Sequence, residues 1–258
     1  MHLVLVLSDL HFGKLTPNFN LDIASKRIRE LPEKLRAEIA FPSRVQSITV
    51  VLGGDEIEGE DIHGFQNSQN EAPVSVQADA ACEAIWTMLL KLVHGFPDAI
   101  VFVRMVYGNH GRTSKTAHPE TNHENALHKR LHDRVTMHGD PRLSSKLNLG
   151  AFEVFECNGW HILVHHKGIK HIGTPSGRLR MLGYMLRFRT QVLIHGHWHR
   201  AQFETERGMF KVSNGSLSGA DDLSDEMGVW EPPRQVFFEV DKTKGPVNFN
   251  FLEWSNDE

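Results

Sequence analysis

The chain has 258 residues, 40% of them hydrophobic, and a formal net charge of −4. That length supports one large packed domain, and the acidic balance argues against bulk polyanion binding while leaving room for a local basic patch. No apolar run reaches the roughly 18 to 20 residues that cross a bilayer, and the start Met-His-Leu-Val-Leu-Val-Leu lacks a signal peptide's basic region and cleavage site. The expectation is a single domain over residues 1–258, cytoplasmic and away from membranes.

The chain opens with an apolar, β-branched run at residues 3–7, which reads as a buried strand ending in Ser8-Asp9-Leu10-His11-Phe12-Gly13. A helical pattern starts near Leu21, is interrupted at Pro32, restarts there because proline suits a first turn, and stops near Phe41-Pro42. A second strand at 48–52 delivers Gly53-Gly54-Asp55. The polar stretch 56–74 then precedes a helix in which Ile85, Met88, Leu89 and Leu92 share one face. A third strand at 100–106 runs into Tyr107-Gly108-Asn109-His110-Gly111-Arg112. Strands alternating with helices predict a βαβαβ unit and a largely parallel sheet, and ligands of such sheets bind beyond the strands' carboxyl ends. Asp9, His11, Asp55, Asn109 and His110 all fall there.

The second half changes character. Residues 152–157 and 160–165 flank Asn158-Gly159, a hairpin signal because both turn positions tolerate positive φ, and the hairpin ends in His165-His166-Lys167-Gly168. Thr174 as cap and Pro175 at the first position start a helix to about Arg189. Its leucines Leu179, Leu182 and Leu186 are expected to face the core, with Arg180, Tyr184 and Arg187 on another face. A strand at 191–195 delivers Gly196-His197-Trp198-His199. Strands near 210–213, 235–240 and 247–252 are expected to finish a mostly antiparallel sheet. The predicted fold is α/β (α+β by some schemes): a two-layer β-sandwich of mixed sheets flanked by helices. Cys82 and Cys157, the only cysteines, read as buried reduced thiols.

Each strand end taken alone has an ordinary explanation as a turn, a cap or a surface histidine. Five in succession that carry carboxylate, amide or imidazole, flanked by glycines that permit close backbone approach, do not follow from folding alone. The blocks Asp9-Leu10-His11, Gly54-Asp55, Gly108-Asn109-His110, a lone histidine at His165 or His166, and Gly196-His197-Trp198-His199, in this order, resemble the calcineurin-like metallophosphoesterase superfamily. The resemblance spans about residues 1–215 and looks nearest to the double-strand-break repair nuclease branch and to compact phage phosphoesterases.

That resemblance implies a dinuclear metal centre. Asp9, His11, Asp55 and His199 would hold the first ion, and Asp55, Asn109, the lone histidine and His197 the second, with Asp55 bridging. His166 is preferred to His165 because His166-Lys167-Gly168 fits the family's step away from the strand, and because His161, Leu163 and His165 would share one strand face. The ions would be two divalent transition metals, manganese first, with iron, zinc or nickel as alternatives, since mixed imidazole and oxygen ligands disfavour magnesium. The implied reaction is hydrolysis of a phosphate ester by a metal-held hydroxide, with His110 acting as general acid at the leaving-group oxygen rather than as a ligand.

Substrate is where the alternatives stay open. Arg112, Arg180 and Arg187 are candidate phosphate contacts within a run of cations that includes Lys167, Lys170, Arg178 and Arg189, although a solvated basic helix face explains the same run. A phosphodiesterase or nuclease acting on nucleic acid, DNA included, or on a nucleotide is the favoured reading. A phosphomonoesterase of the same fold is the alternative, and a binding protein on a degenerate version of it the distant one. The acidic stretch 56–74 would repel a polyanion unless metals or arginines intervene. Asn214-Gly215-Ser216 is expected to border the active site, His195 to be structural, Trp198 to point away and pack, and the acidic residues Asp221, Asp222, Asp225 and Glu226 to form a solvated loop. None of these features encodes an oligomeric state.

Overall fold

Strand β1 (His2–Leu7) and strand β2 (Ser47–Leu52) are buried on both faces from Leu3 and from Ser47 onward, as strands inside a layered sheet must be. The computed structural model describes residues 1–60, 62, 66–118, 120–169, 174–206, 208–219 and 230–255. In it β1, β2, β3 (Ile100–Met105) and β4 (Leu143–Ser145) run parallel in that order. Helices α1 (Leu21–Glu38), α2 (Val74–Gly95) and α3 (His123–His138) cover one face, where Leu3, Leu5 and Leu7 meet Ile28, Leu31, Ile85, Leu89, Leu127 and Leu131. Val4 and Val6, on the opposite face, pack against a second sheet.

The second sheet contains β5 (Phe152–Cys157), β6 (Trp160–His165), β7 (Val192–His195), β8 (Gln202–Glu206) and β9 (Met209–Ser213), ordered β5-β6-β7-β9-β8. The Asn158-Gly159 hairpin forms as expected, both residues having positive φ. The sheet is not mostly antiparallel: β6, β7 and β9 pair in parallel, and only the two outer pairings are antiparallel. Nor do the last strands finish it. Strands β10 (Arg234–Asp241) and β11 (Gly245–Glu253) return to the first sheet, β10 antiparallel to β1. Burial explains this placement, because Val236, Phe238 and Val240 face the second sheet while Phe237 faces the helices.

Two helix expectations need correction. Pro32 does not interrupt α1, which continues through it. A mid-helix proline costs roughly 3 kcal/mol, but the buried stripe Ala24, Ile28, Leu31 and Leu35 runs across it and keeps both halves on the sheet. In α4 (Pro175–Phe188), Leu179, Leu182 and Leu186 do not face the core and are 69%, 46% and 75% exposed. Met181, Tyr184 and Met185 form the inner face instead, against Leu163, Leu193 and Met209. Helix α3 and strands β4 and β8 were not anticipated. Lys170 and the acidic residues 221–226 lie outside the described residues. Among the described residues no helix is long and apolar enough to cross a membrane.

Candidate metal centre

The strand-end segments converge at the carboxyl ends of β1, β2, β3, β6 and β7. Five of their non-glycine residues, Asp9, His11, Asp55, His197 and His199, adopt left-handed backbone with φ of 53°, 49°, 55°, 71° and 52°. Such conformations cost of order 1–3 kcal/mol each and cluster at functional sites. Backbone hydrogen bonds bind the loops together: Asp9 N donates to Gly54 O at 2.9 Å, His11 N to Asp55 O at 3.1 Å, and Leu217 N to Asp9 O at 3.0 Å. Asn214 donates to Ser8 Oγ and Ser216 Oγ to Asp9 O, so the Asn214-Gly215-Ser216 turn does border this region.

The side chains fall into three adjoining groups, of which His11, Glu58 and His110 form one that shares His11 with the group of Asp9 and His199. In the first, potential ligand atoms of Asp9, His11 and His199 lie within 4.8 Å of one another, with His11 Nε2 3.1 Å from His199 Nε2 and His199 Nε2 3.4 Å from Asp9 Oδ1. In the second, Asp55, His166 and His197 meet the same limit, and His166 Nε2 is 2.8 Å from Asp55 Oδ2. His166 also reaches to 4.0 Å from Asp9 Oδ1, so the groups share a wall. Of the two adjacent histidines, His166 is the one turned inward, while His165 ends β6 opposite Phe152. The His195 ring lies beside Gly168, with its Nδ1 3.1 Å from Gly196 O.

Outer contacts orient these rings. His166 Nδ1 donates to Gly53 O at 2.8 Å, which aims Nε2 at Asp55. Asp55 Oδ1 accepts from Asn109 N at 2.6 Å and His110 N at 2.8 Å, fastening the third loop to the second. Glu58, on neither of the expected ligand sets, places Oε2 2.8 Å from His11 Nδ1 and Oε1 3.4 Å from His110 Nδ1. The sequence carried one faint signal for it, a carboxylate three residues beyond Asp55.

Burial and charge act against each other here. Burial raises the Asp9 carboxyl, but the bond to His199 and the charge of His166 overcome it and hold the group at about 2. Asp55 is likewise well below the usual carboxylate range: burial opposes this, and His166 and His110 outweigh it. Burial lowers His166, yet Asp55 takes it up to about 10; His110 is taken up to about 9 by Asp55 and Glu58 against the same burial. His11 and His197 go the other way, each to about 4, because burial dominates.

A further buried layer lies behind the loops. Glu56 Oε1 accepts from Gly54 N at 3.1 Å, Glu124 Oε2 from Gly108 N at 2.6 Å, and His128 Nε2 stands 3.3 Å from Glu56 Oε2. Glu124 and His128 come from the unanticipated α3, whose cap Asn122 also donates to Gly108 O. Among the candidate phosphate contacts, Arg112 is anchored at the centre by Nε on Asn109 O. Arg180 and Arg187 stand on the exposed side of α4, Arg187 over the Phe188 ring. Trp198 does not pack away as expected. It is 62% exposed, because the left-handed turns at His197 and His199 turn both imidazoles inward and leave the indole between them facing solvent.

No protein-family model and no curated protein matches the chain. Among solved structures it is similar to a novel archaeal phosphodiesterase (14% identity, TM-score 0.46, covering 98% of this chain and 99% of that one). It is also similar to a predicted phosphoesterase from Streptococcus pneumoniae (14%, 0.45, 97% and 88%) and to zinc-complexed Vps29 from Entamoeba histolytica (15%, 0.44, 97% and 98%). Likenesses this distant say nothing about activity here, which rests on the residues.

Proposed function

We propose that the chain is a phosphate-ester hydrolase that works with two divalent transition-metal ions, and that its substrate is a phosphodiester of nucleic acid or of a nucleotide. The observation that carries this reading is the pair of adjoining groups, Asp9–His11–His199 and Asp55–His166–His197. The residues fit metal ions. Asp55 Oδ2 and His166 Nε2 are buried, 2.8 Å apart and paired with each other, so a cation that displaced the His166 proton would meet a carboxylate and an imidazole together. Glu58 behind His11 and Gly53 O behind His166 are the outer partners that ligating histidines require.

On this reading Asp9, His11, Asp55 and His199 would hold one ion and Asp55, Asn109, His166 and His197 the other. The mixed oxygen and imidazole donors suit manganese, iron, zinc or nickel. Such ions supply Lewis-acid polarisation of the phosphate and a water of lowered pKa. The chain's own residues do the rest. His110, engaged at Nδ1 by Glu58 O at 3.0 Å, would deliver a proton from Nε2 to the leaving-group oxygen. Arg112, fixed on Asn109 O, is assigned to a non-bridging phosphate oxygen, where developing charge is stabilised; Arg180 and Arg187 would meet substrate farther out on α4.

The test is hydrolysis of bis-p-nitrophenyl phosphate, p-nitrophenyl phosphate and linear single- and double-stranded DNA with added manganese, beside the Asp55→Ala variant. Manganese-dependent diester cleavage lost in the variant is the expected result. Monoester cleavage alone would move the chain to the phosphatases, and failure to bind any transition metal would leave a binding protein on this fold.

A further inference from the structure

The segment that carries His197 and His199 does two things at once. Trp198 N donates to Gly196 O at 2.9 Å, a tight turn that sends the flanking imidazoles into different groups, one to Asp55 and His166 and the other to Asp9 and His11. The indole between them is turned out, in an edge-to-face contact with the His197 ring at 5.1 Å between centroids and an interplanar angle of 67°. Holding 62% of a tryptophan in water beside a polar centre forgoes burial of the largest apolar side chain available, and an indole so placed offers a flat face to a ligand. The neighbouring charges are positive: Arg200 follows directly and is exposed, and the charge of the exposed Lys167 reaches His197.

We propose that Trp198 is a stacking platform for an unpaired nucleobase, set so that the phosphodiester attached to that base reaches the two metal-ligating groups. The inference rests on the phosphodiesterase reading above and names its substrate class as single-stranded nucleic acid or a nucleotide. A ligand that presents a phosphate to Asp9–His11–His199 and Asp55–His166–His197 and a flat ring to the adjoining indole is a nucleotide unit. A duplex keeps its bases stacked inside and would leave the indole bare. The net charge of −4, a deficit of cations, is compatible with this, because base–aromatic stacking needs no surplus positive charge.

The experiment measures binding separately from turnover. Fluorescence anisotropy with a labelled oligothymidylate, an abasic strand of equal length and charge, and the corresponding duplex is read for the wild type, Trp198→Phe and Trp198→Ala. Calcium replaces manganese, strands are checked intact on a gel, and the manganese content of each variant is measured beforehand. The expected result is a roughly tenfold loss of oligothymidylate affinity in Trp198→Ala, the size of one lost base–aromatic stack, with Trp198→Phe near wild type and the abasic strand indifferent to all three. Equal affinity of the wild type for base-bearing and abasic strands overturns the inference, as does an equal loss for both strands in Trp198→Ala. Oligothymidylate binding through Trp198 without hydrolysis of any diester would sink the phosphodiesterase reading and leave the platform standing; diester hydrolysis with affinity unmoved by Trp198→Ala would do the reverse.

Discussion

Glu58 joins two histidines of different assigned purpose, with one carboxylate oxygen 2.8 Å from His11 Nδ1 and the other 3.4 Å from His110 Nδ1. A carboxylate behind a ligating imidazole fixes the ring and raises its basicity, and losing one costs about 10–100-fold in metal affinity. Glu58→Ala is therefore expected to weaken manganese binding by roughly that factor, measured by isothermal titration calorimetry, with Glu58→Gln intermediate. Wild-type affinity in a folded Glu58→Ala protein would leave the carboxylate with no part in the metal centre.

His110 is tied to the same carboxylate: its ring groups with His11 and Glu58, apart from Asp55–His166–His197, and its backbone N–H donates to Asp55 Oδ1. His110→Ala is expected to retain both metals by elemental analysis and to lose about 10² to 10⁴-fold in kcat, the usual worth of general acid–base catalysis. The loss should be smaller for a substrate whose leaving group is a good one, such as p-nitrophenolate, than for an alkoxide leaving group. Equal losses on both would mean that His110 does something other than protonate the departing oxygen.

Gly196 marks a place where the backbone itself must come close. A Cβ there would run into Asp9 Oδ2 and Ser8 Oγ, and His197 N next to it already donates to Asp9 Oδ1 at 2.9 Å. Gly196→Ala should push Asp9 or the His197–His199 segment aside and cut metal occupancy at the Asp9 group, while Gly183→Ala in α4, where the added carbon meets nothing, serves as a neutral control. Full metal occupancy in Gly196→Ala would show that the segment can yield without moving a ligand.

How much of this was legible in the sequence depends on whether a feature is local. The strands that end at Asp9, Asp55, His110 and His195 announce themselves by apolar runs with polar ends, and the Asn158-Gly159 turn by the conformations its residues tolerate. The return of β10 to the side of β1 was not legible, because Leu5 pairs with Phe237 across more than two hundred residues of chain. The phase of α4 misled for a related reason: Leu179, Leu182 and Leu186 have helical spacing, but Met181 and Tyr184 have it too, and only the sheet beneath decides between them. Glu58, Glu124 and His128 were missed because a buried carboxylate or imidazole leaves no periodic trace, and its partners arrive from other elements.

The buried layer of Glu56, Glu124 and His128 should impose a pH dependence on stability. Burial raises Glu56 to about 8 and Glu124 well above the ordinary 4.5, and lowers His128 to about 4. A carboxyl with a raised folded-state pKa contributes its full stability below 4.5, where the unfolded chain is also protonated, and loses it as pH rises through the folded value. His128 runs the other way: its contribution is present above 6.5 and lost as pH falls toward 4. Between pH 4.5 and 6.5 the two slopes oppose each other, so within this layer only the carboxyl loss remains from pH 6.5 to about 8. The raised His110 and His166 also lose stability as pH rises there, a loss that a variant in this layer shares with the wild type. Glu124→Gln keeps an acceptor for Gly108 N and removes one titrating group from that window. Its Tm relative to wild type should therefore climb as pH rises from 6.5 to about 8. Scanning fluorimetry across that range decides it: parallel curves for the two proteins would mean that Glu124 is already ionised in the folded chain and that Gly108 N is held by a carboxylate.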